Sequence, residues 1–159
     1  MKPFWKTVLL TWLLVGTTDI TAAYVHQFVI TGKFAGKMLQ YIAGGALGLE
    51  NSMKGGFWVG LLGLCFHYFI AFSFTLLFFI SYPRFKLLRA NKYLIGLLYG
   101  IFASCFMSFL VLPLTRLPRN PFVFQKAIVG WIILGLVLGI PIAISANKFY
   151  QTSNLKSKP

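Results

Sequence analysis

The chain has 159 residues, 58% of them hydrophobic, 18% aromatic and only 11% charged, with a net charge of +13. Soluble domains carry about 25% charged residues, so the composition excludes an ordinary soluble domain. The 15 Lys and Arg residues sit in short clusters between apolar runs, the pattern of loops facing a lipid bilayer and its anionic headgroups; no nucleic-acid partner is expected.

The first predicted element is a spanning helix from about Phe4 to Ile30, interrupted by Asp19 and His26. Its opening, with Lys2 and Lys6 before VLLTWLLVG and then small residues to Ala23, has the outline of a cleaved signal peptide. The apolar character continues through Tyr24-Val25 and Phe28-Val29-Ile30, which is long enough to span, so a membrane helix is the better reading. Lys33 and Lys37 flank a turn opened by Thr31-Gly32. The next apolar segment, residues 38–49, is too short to cross roughly 30 Å of hydrocarbon at 1.5 Å per residue, and is expected to be re-entrant or interfacial.

Three runs without Lys, Arg, Asp or Glu follow, at 55–83, 93–115 and 127–147. They predict spans over about 56–81, 93–114 and 127–147. Pro83 stops the second span, and Pro113, Pro118 and Pro121 break the chain after the third. Pro141 falls inside the fourth and is expected to kink it. Residues 148–159 read as a basic, polar and mobile tail. The fold class is therefore all-α membrane protein: residues 1–147 form one bundle of four transmembrane helices, with a short helix between the first two spans. Nine of the basic residues fall on the side of the termini and the central loop, against six on the other, which places both termini in the cytoplasm.

Small residues line helix faces: Gly56, Gly60 and Gly63 with His67 and Ala71, Gly96 with Gly100 and Ala103, Gly135 with Gly139, and Gly44 with Gly48. Such stripes let helix backbones approach closely in lipid, where burying apolar surface gives no net drive. Packing within the bundle is the favoured use of them, with a homodimer or a partner membrane protein as the alternative.

Asp19, His26 and His67 are the ionisable residues within the spans. Asp19 and His26 are seven apart and share a face with Trp12, Gly16 and Ala23. Counting from Lys6, Asp19 lies roughly 20 Å from one membrane surface; counting from Gly56, His67 lies roughly 16 Å from the other. These depths differ by about one helical turn, so His67 is expected to meet Asp19, with His26 nearer the outer interface. A charge at the bilayer centre costs about 2.5–3.5 kcal/mol on insertion scales. Asp19 can meet that cost by taking up a proton, by pairing with His67, or through a structural hydrogen bond to Thr17, Thr21 or a neighbouring helix.

No catalytic array is visible: no pair of carboxylates, no metal set, no nucleophile with a base and an orienting acid, and no phosphate-binding glycine loop. The chain is accordingly read as non-enzymatic, with no cofactor or metal. Cys65 and Cys105 both lie in apolar runs and suit small apolar filler. Glu50 is expected to pair with Lys54, four residues on.

Several pieces together resemble a group of small uncharacterised bacterial inner-membrane proteins: GTTDI at 16–20, MLQYIAGGALG at 38–48, LGLCFHYFIAF at 62–72, GLLYG at 96–100 and VLPL at 111–114. The chain is also more distantly similar to the YagU-like proteins. The resemblance covers most of the chain to Leu114 and implies a four-helix inner-membrane protein with Asp19 inside the family's own motif. A Met-Asn pair common in the group's third helix reads Met107-Ser108 here. No activity is implied by the likeness. The functional expectation is a small transport or permeation unit with a polar centre at Asp19 and His67, or else an accessory or assembly protein in which both residues are structural.

Overall fold

The computed structural model describes residues 3–118 and 123–156, with side chains to Thr152. Lys2, Arg119 and Lys158 of the orientation count, Pro121, and the last residues of the tail lie outside the described residues. The chain forms α1 (Pro3–Thr31), α2 (Met38–Leu47), α3 (Leu49–Lys54), α4 (Phe57–Ser81), α5 (Lys92–Leu114) and α6 (Phe124–Thr152). Four of these, α1, α4, α5 and α6, are long and apolar enough to cross a membrane. They alternate in direction, so the bundle has one end carrying the termini and the α4–α5 loop. The other end carries α2, α3 and the α5–α6 connection.

Side-chain capping marks one helix start clearly. Asn91 accepts from the backbone N–H groups of Tyr93 and Leu94 and opens α5, satisfying donors that have no intrahelical partner. Each of the two longest interruptions of helical geometry precedes a proline. A π-helical turn at Met107–Val111 leads to Pro113, and another at Gly135–Gly139 leads to Pro141. Proline lacks the N–H that would bond four residues back, so the ladder loosens just before it. The disturbance expected at Pro141 thus takes the form of a π-helical turn spread over the preceding residues.

The spans are held by close backbone contact and by interhelical hydrogen bonds. A Cβ built on Gly96 would sit 2.5 Å from Ile140 Cα and 2.9 Å from Gly139 O, and one on Gly139 would sit 2.8 Å from Gly100 N. Gly96, Gly100, Gly135 and Gly139 therefore form a contact seam between α5 and α6. Tyr99 donates to Phe74 O at 2.7 Å and ties α5 to α4. Tyr150 donates to Phe79 O, and Asn147 Nδ2 donates to the Tyr82 hydroxyl, each at 2.8 Å, tying α6 to α4. Phe149 and Tyr150 pack against the buried cluster there, which is why α6 runs on as helix past Asn147 where the sequence suggested a mobile tail from 148.

The glycine stripe on α4 is divided between two partners. Gly63 faces the backbone of Leu39 and Ala43, and Gly60 faces Leu39 and Gln40, so both receive α2. Ala71 faces Gly16 of α1. Two expected packing glycines do something else. Gly56 and Gly48 have no atom within 4 Å of where a Cβ would stand. Gly56 is the extended residue that starts α4. Gly48 adopts φ 85°, a region that side chains resist, and there it turns α2 into α3. The resulting hairpin is closed by Lys37 Nζ donating to Met53 O at 2.9 Å. It is joined to the α5–α6 connection by Arg116 N donating to Gly45 O at 2.9 Å. The expected Glu50–Lys54 ion pair forms at 2.6 Å on its exposed side.

The buried core is uneven along the bundle. In α1 the buried residues are Val8, Thr11, Val15 and Gly16; in α5 they end at Ala103; in α6 they begin at Gly135. Among the described residues, none of Thr17–Thr31, Ser104–Leu114 or Phe124–Leu134 is buried. At that level α2 covers α4, with Ala43, Gly44 and Ser52 buried in the hairpin, and α5 stays alongside α6 at Ser104 and Gly130. The half of the bundle near the termini is sealed by a shared core, and in the opposite, splayed half α1 carries no buried residue.

Candidate functional site

The segment that changes from sealed to splayed is Gly16-Thr-Thr-Asp-Ile-Thr, and each residue in it has a defined task or position. Gly16 is buried because its missing side chain admits the ring of Tyr68: a Cβ there would lie 2.7 Å from Tyr68 Cε1. The carbonyl of Gly16 takes a 2.8 Å hydrogen bond from His67 Nε2. A carbonyl only accepts, so Nε2 carries the proton, and Nδ1 is left to accept or to be protonated in turn. Tyr68 and Thr17 share a hydroxyl–hydroxyl bond of 2.8 Å. One turn earlier, Trp12 Nε1 donates to Tyr68 O at 2.7 Å. Three contacts thus clamp α1 to α4 across adjacent residues, His67 and Tyr68.

Thr18 faces the other way, toward α6. Its hydroxyl reaches Val137 O at 3.0 Å, besides bonding back within α1 to Leu14 O at 3.0 Å. Val137 is the residue four before Pro141, so its carbonyl has lost the amide donor that a regular helix would bring. Thr18 supplies a hydroxyl in place of it. Sequence reasoning missed this pair, although a proline inside a span and a threonine in the polar stretch of another were both visible.

Asp19 lies between these two contacts, one turn beyond Gly16 and half-buried. It interacts electrostatically with His67, yet the two do not form an ion pair or a hydrogen bond. The structural alternatives at Thr17 and Thr21 are taken up otherwise. Thr17 donates to Leu13 O and Thr21 to Thr17 O, each at 2.7 Å. Among the described residues no donor is hydrogen-bonded to the Asp19 carboxylate. Residue counts set His67 to meet Asp19; the structure bonds it to Gly16 O, within one turn of Asp19. His26 lies two turns further along the same face, half-buried, and among the described residues no hydrogen bond joins it to Asp19 or His67.

Val8, Val15, Asp19, Ala22 and His26 recur at intervals of seven, four, three and four, which is one face of a helix. The first two are 0% exposed and belong to the sealed half; the last three lie in the splayed half. Asp19 is thus the first residue of that face beyond the core. None of the four described cavities is lined by Asp19 or His67. A carboxylate so placed can exchange a proton or hold a cation, and His67, held by Gly16 O, stands within one turn of it.

No family model matches the chain, and no curated protein or solved structure matches it. On its own residues, it has the build of a multi-pass membrane helical bundle.

Proposed function

We propose that the chain is a bacterial inner-membrane protein of the small group it resembles, and that it serves as a transport or permeation unit for protons or small cations. The observation that carries this reading is the end of the buried core at Gly16, with Asp19 the next residue on the same inward face. A carboxylate in a span that lacks a hydrogen-bond partner marks an ion or proton path more often than a packing contact. With both termini cytoplasmic by the excess of Lys and Arg, the splayed half opens toward the outer side, and Asp19 forms its floor. Sealing below Asp19 by Val15 and Val8 requires an alternating or gated passage rather than a continuous pore.

The test is flux in vesicles containing the purified chain, followed with an interior pH dye under an imposed proton or cation gradient. Wild type and Asp19→Glu carry flux, and Asp19→Asn carries none while retaining the wild-type melting temperature. Equal flux from wild type and Asp19→Asn, or none from wild type under any of these gradients, overturns the proposal.

A second reading is an accessory or assembly protein. It is favoured by the employment of Trp12, Thr17, Thr18, His67 and Tyr68 in interhelical bonds. On that reading Asp19→Asn alters stability or association and leaves the membrane equally tight.

A further inference from the structure

A groove between α1 and α6 at the termini end has a chemistry that the bundle itself does not use. Its volume is about 490 Å³, and it is lined by Thr7, Leu10, Thr11, Leu14, Ser145 and Lys148 among others. Leu10 and Leu14 are 60% and 53% exposed, so the groove opens sideways to lipid. Thr11 is only 4% exposed. Among the described residues its hydroxyl has no hydrogen-bond partner, yet no enclosed side-chain oxygen among them is left unpaired. That hydroxyl therefore opens onto the groove. Lys148 is exposed, and among the described residues its ammonium makes neither an ion pair nor a hydrogen bond.

The polar and apolar parts are ordered along the bundle axis. Lys148 and Thr7 stand toward the end of the bundle that carries the termini. Leu14 lies seven residues deeper than Thr7, roughly 10 Å at 1.5 Å per residue. Thr11 and Ser145 come between. This is the profile of an amphiphile lying against the protein with an anionic head at the surface and a chain running inward. A free anion would have no use for the leucines, and a neutral lipid would leave Lys148 unanswered. From this complementarity we infer that the α1–α6 groove is a binding site for an anionic phospholipid, whose phosphate meets Lys148 and whose acyl chain lies over Leu10 and Leu14.

The site is independent of Asp19 and is tested on the full chain in neutral detergent by native mass spectrometry, with added phosphatidylglycerol or phosphatidylcholine. Wild type retains phosphatidylglycerol in preference to phosphatidylcholine. Lys148→Gln weakens its retention about fivefold, which corresponds to about 1 kcal/mol for one cationic side chain at an anionic surface. Lys86→Gln, an exposed cation at the same end but outside the groove, leaves retention unchanged. Leu14→Trp, which fills the inner part of the groove and keeps Lys148, also lowers it. Glycerol phosphate does not displace the lipid. Equal losses in Lys148→Gln and Lys86→Gln would show only a diffuse positive field and overturn the site. Unchanged retention in Lys148→Gln or Leu14→Trp overturns it, and so does displacement by glycerol phosphate, which would indicate a free-phosphate site.

Discussion

The seam between α5 and α6 makes the most demanding prediction about what holds the bundle together. In Gly96→Ala the new Cβ would stand 2.5 Å from Ile140 Cα and 2.9 Å from Gly139 O, where ordinary contact begins at 3.4 Å. The obstructing atoms are backbone, so no side chain can swing aside, and the two helices must part. A separation of roughly 1 Å forfeits a quarter to a half of each dispersion contact across the seam. The neighbouring contacts at Gly100, Gly135 and Gly139 weaken together. Overpacking of this kind costs about 1–3 kcal/mol, and in lipid there is no hydrophobic drive to offset it. The control is Gly130→Ala on the same helix pair, whose Cβ would lie 3.9 Å from Ser104 Oγ and should cost nothing. Unfolding both variants in mixed micelles by detergent titration, followed by far-ultraviolet circular dichroism, gives the comparison. If Gly96→Ala unfolds with Gly130→Ala and wild type, close backbone contact is not what joins α5 to α6.

Two further substitutions probe other joints. Gly48→Ala places a side chain at φ 85°, ψ 146°, a region that costs about 1–3 kcal/mol for residues other than glycine; proteolysis between α2 and α3 should accelerate while the four spans stay protected. Trp12→Phe keeps the ring but loses the 2.7 Å bond to Tyr68 O; interhelical bonds in membranes average about 0.6 kcal/mol, so a loss of that order in the micelle titration is expected, and a loss near zero would mean the clamp is held by packing alone.

Much of the architecture was legible because it depends on stretches of sequence. The uncharged runs predicted spans that agree with α4 and α5 to within one residue at each end, since a missing charge over about twenty residues leaves few alternatives. The fourth span was less legible at both ends. It begins at Phe124, three residues earlier than predicted, because Gln125 and Lys126 read as loop while both are the exposed first turn of a helix. It continues past Asn147 because Phe149 and Tyr150 dock against Phe79 and Tyr82, a contact that tail composition does not reveal.

The site was legible in a different measure. Counting residues along antiparallel helices set His67 near Asp19 in depth, because rise per residue is fixed. It could not say that the imidazole would bond to Gly16 O, since the angular setting of α1 against α4 depends on Tyr68 fitting over Gly16. The glycine stripe of α4 was visible, but not its division between α2 and α1, which depends on where the short helix folds back. The uneven core was invisible, because every span is hydrophobic all round and periodicity carries no depth information.

On the proposed function, water reaches Asp19 from the end of the bundle that carries α2 and stops there. This is tested most directly by the reaction of single cysteines with a small charged thiosulfonate, in a background with Cys65 and Cys105 replaced by alanine and the protein held in sealed vesicles. The account predicts that Ala22→Cys and Asp19→Cys react when the reagent is on the α2 side, while Val15→Cys, 0% exposed in the sealed half, does not. An Asp19→Cys variant as inert as Val15→Cys from both sides of the membrane would contradict it.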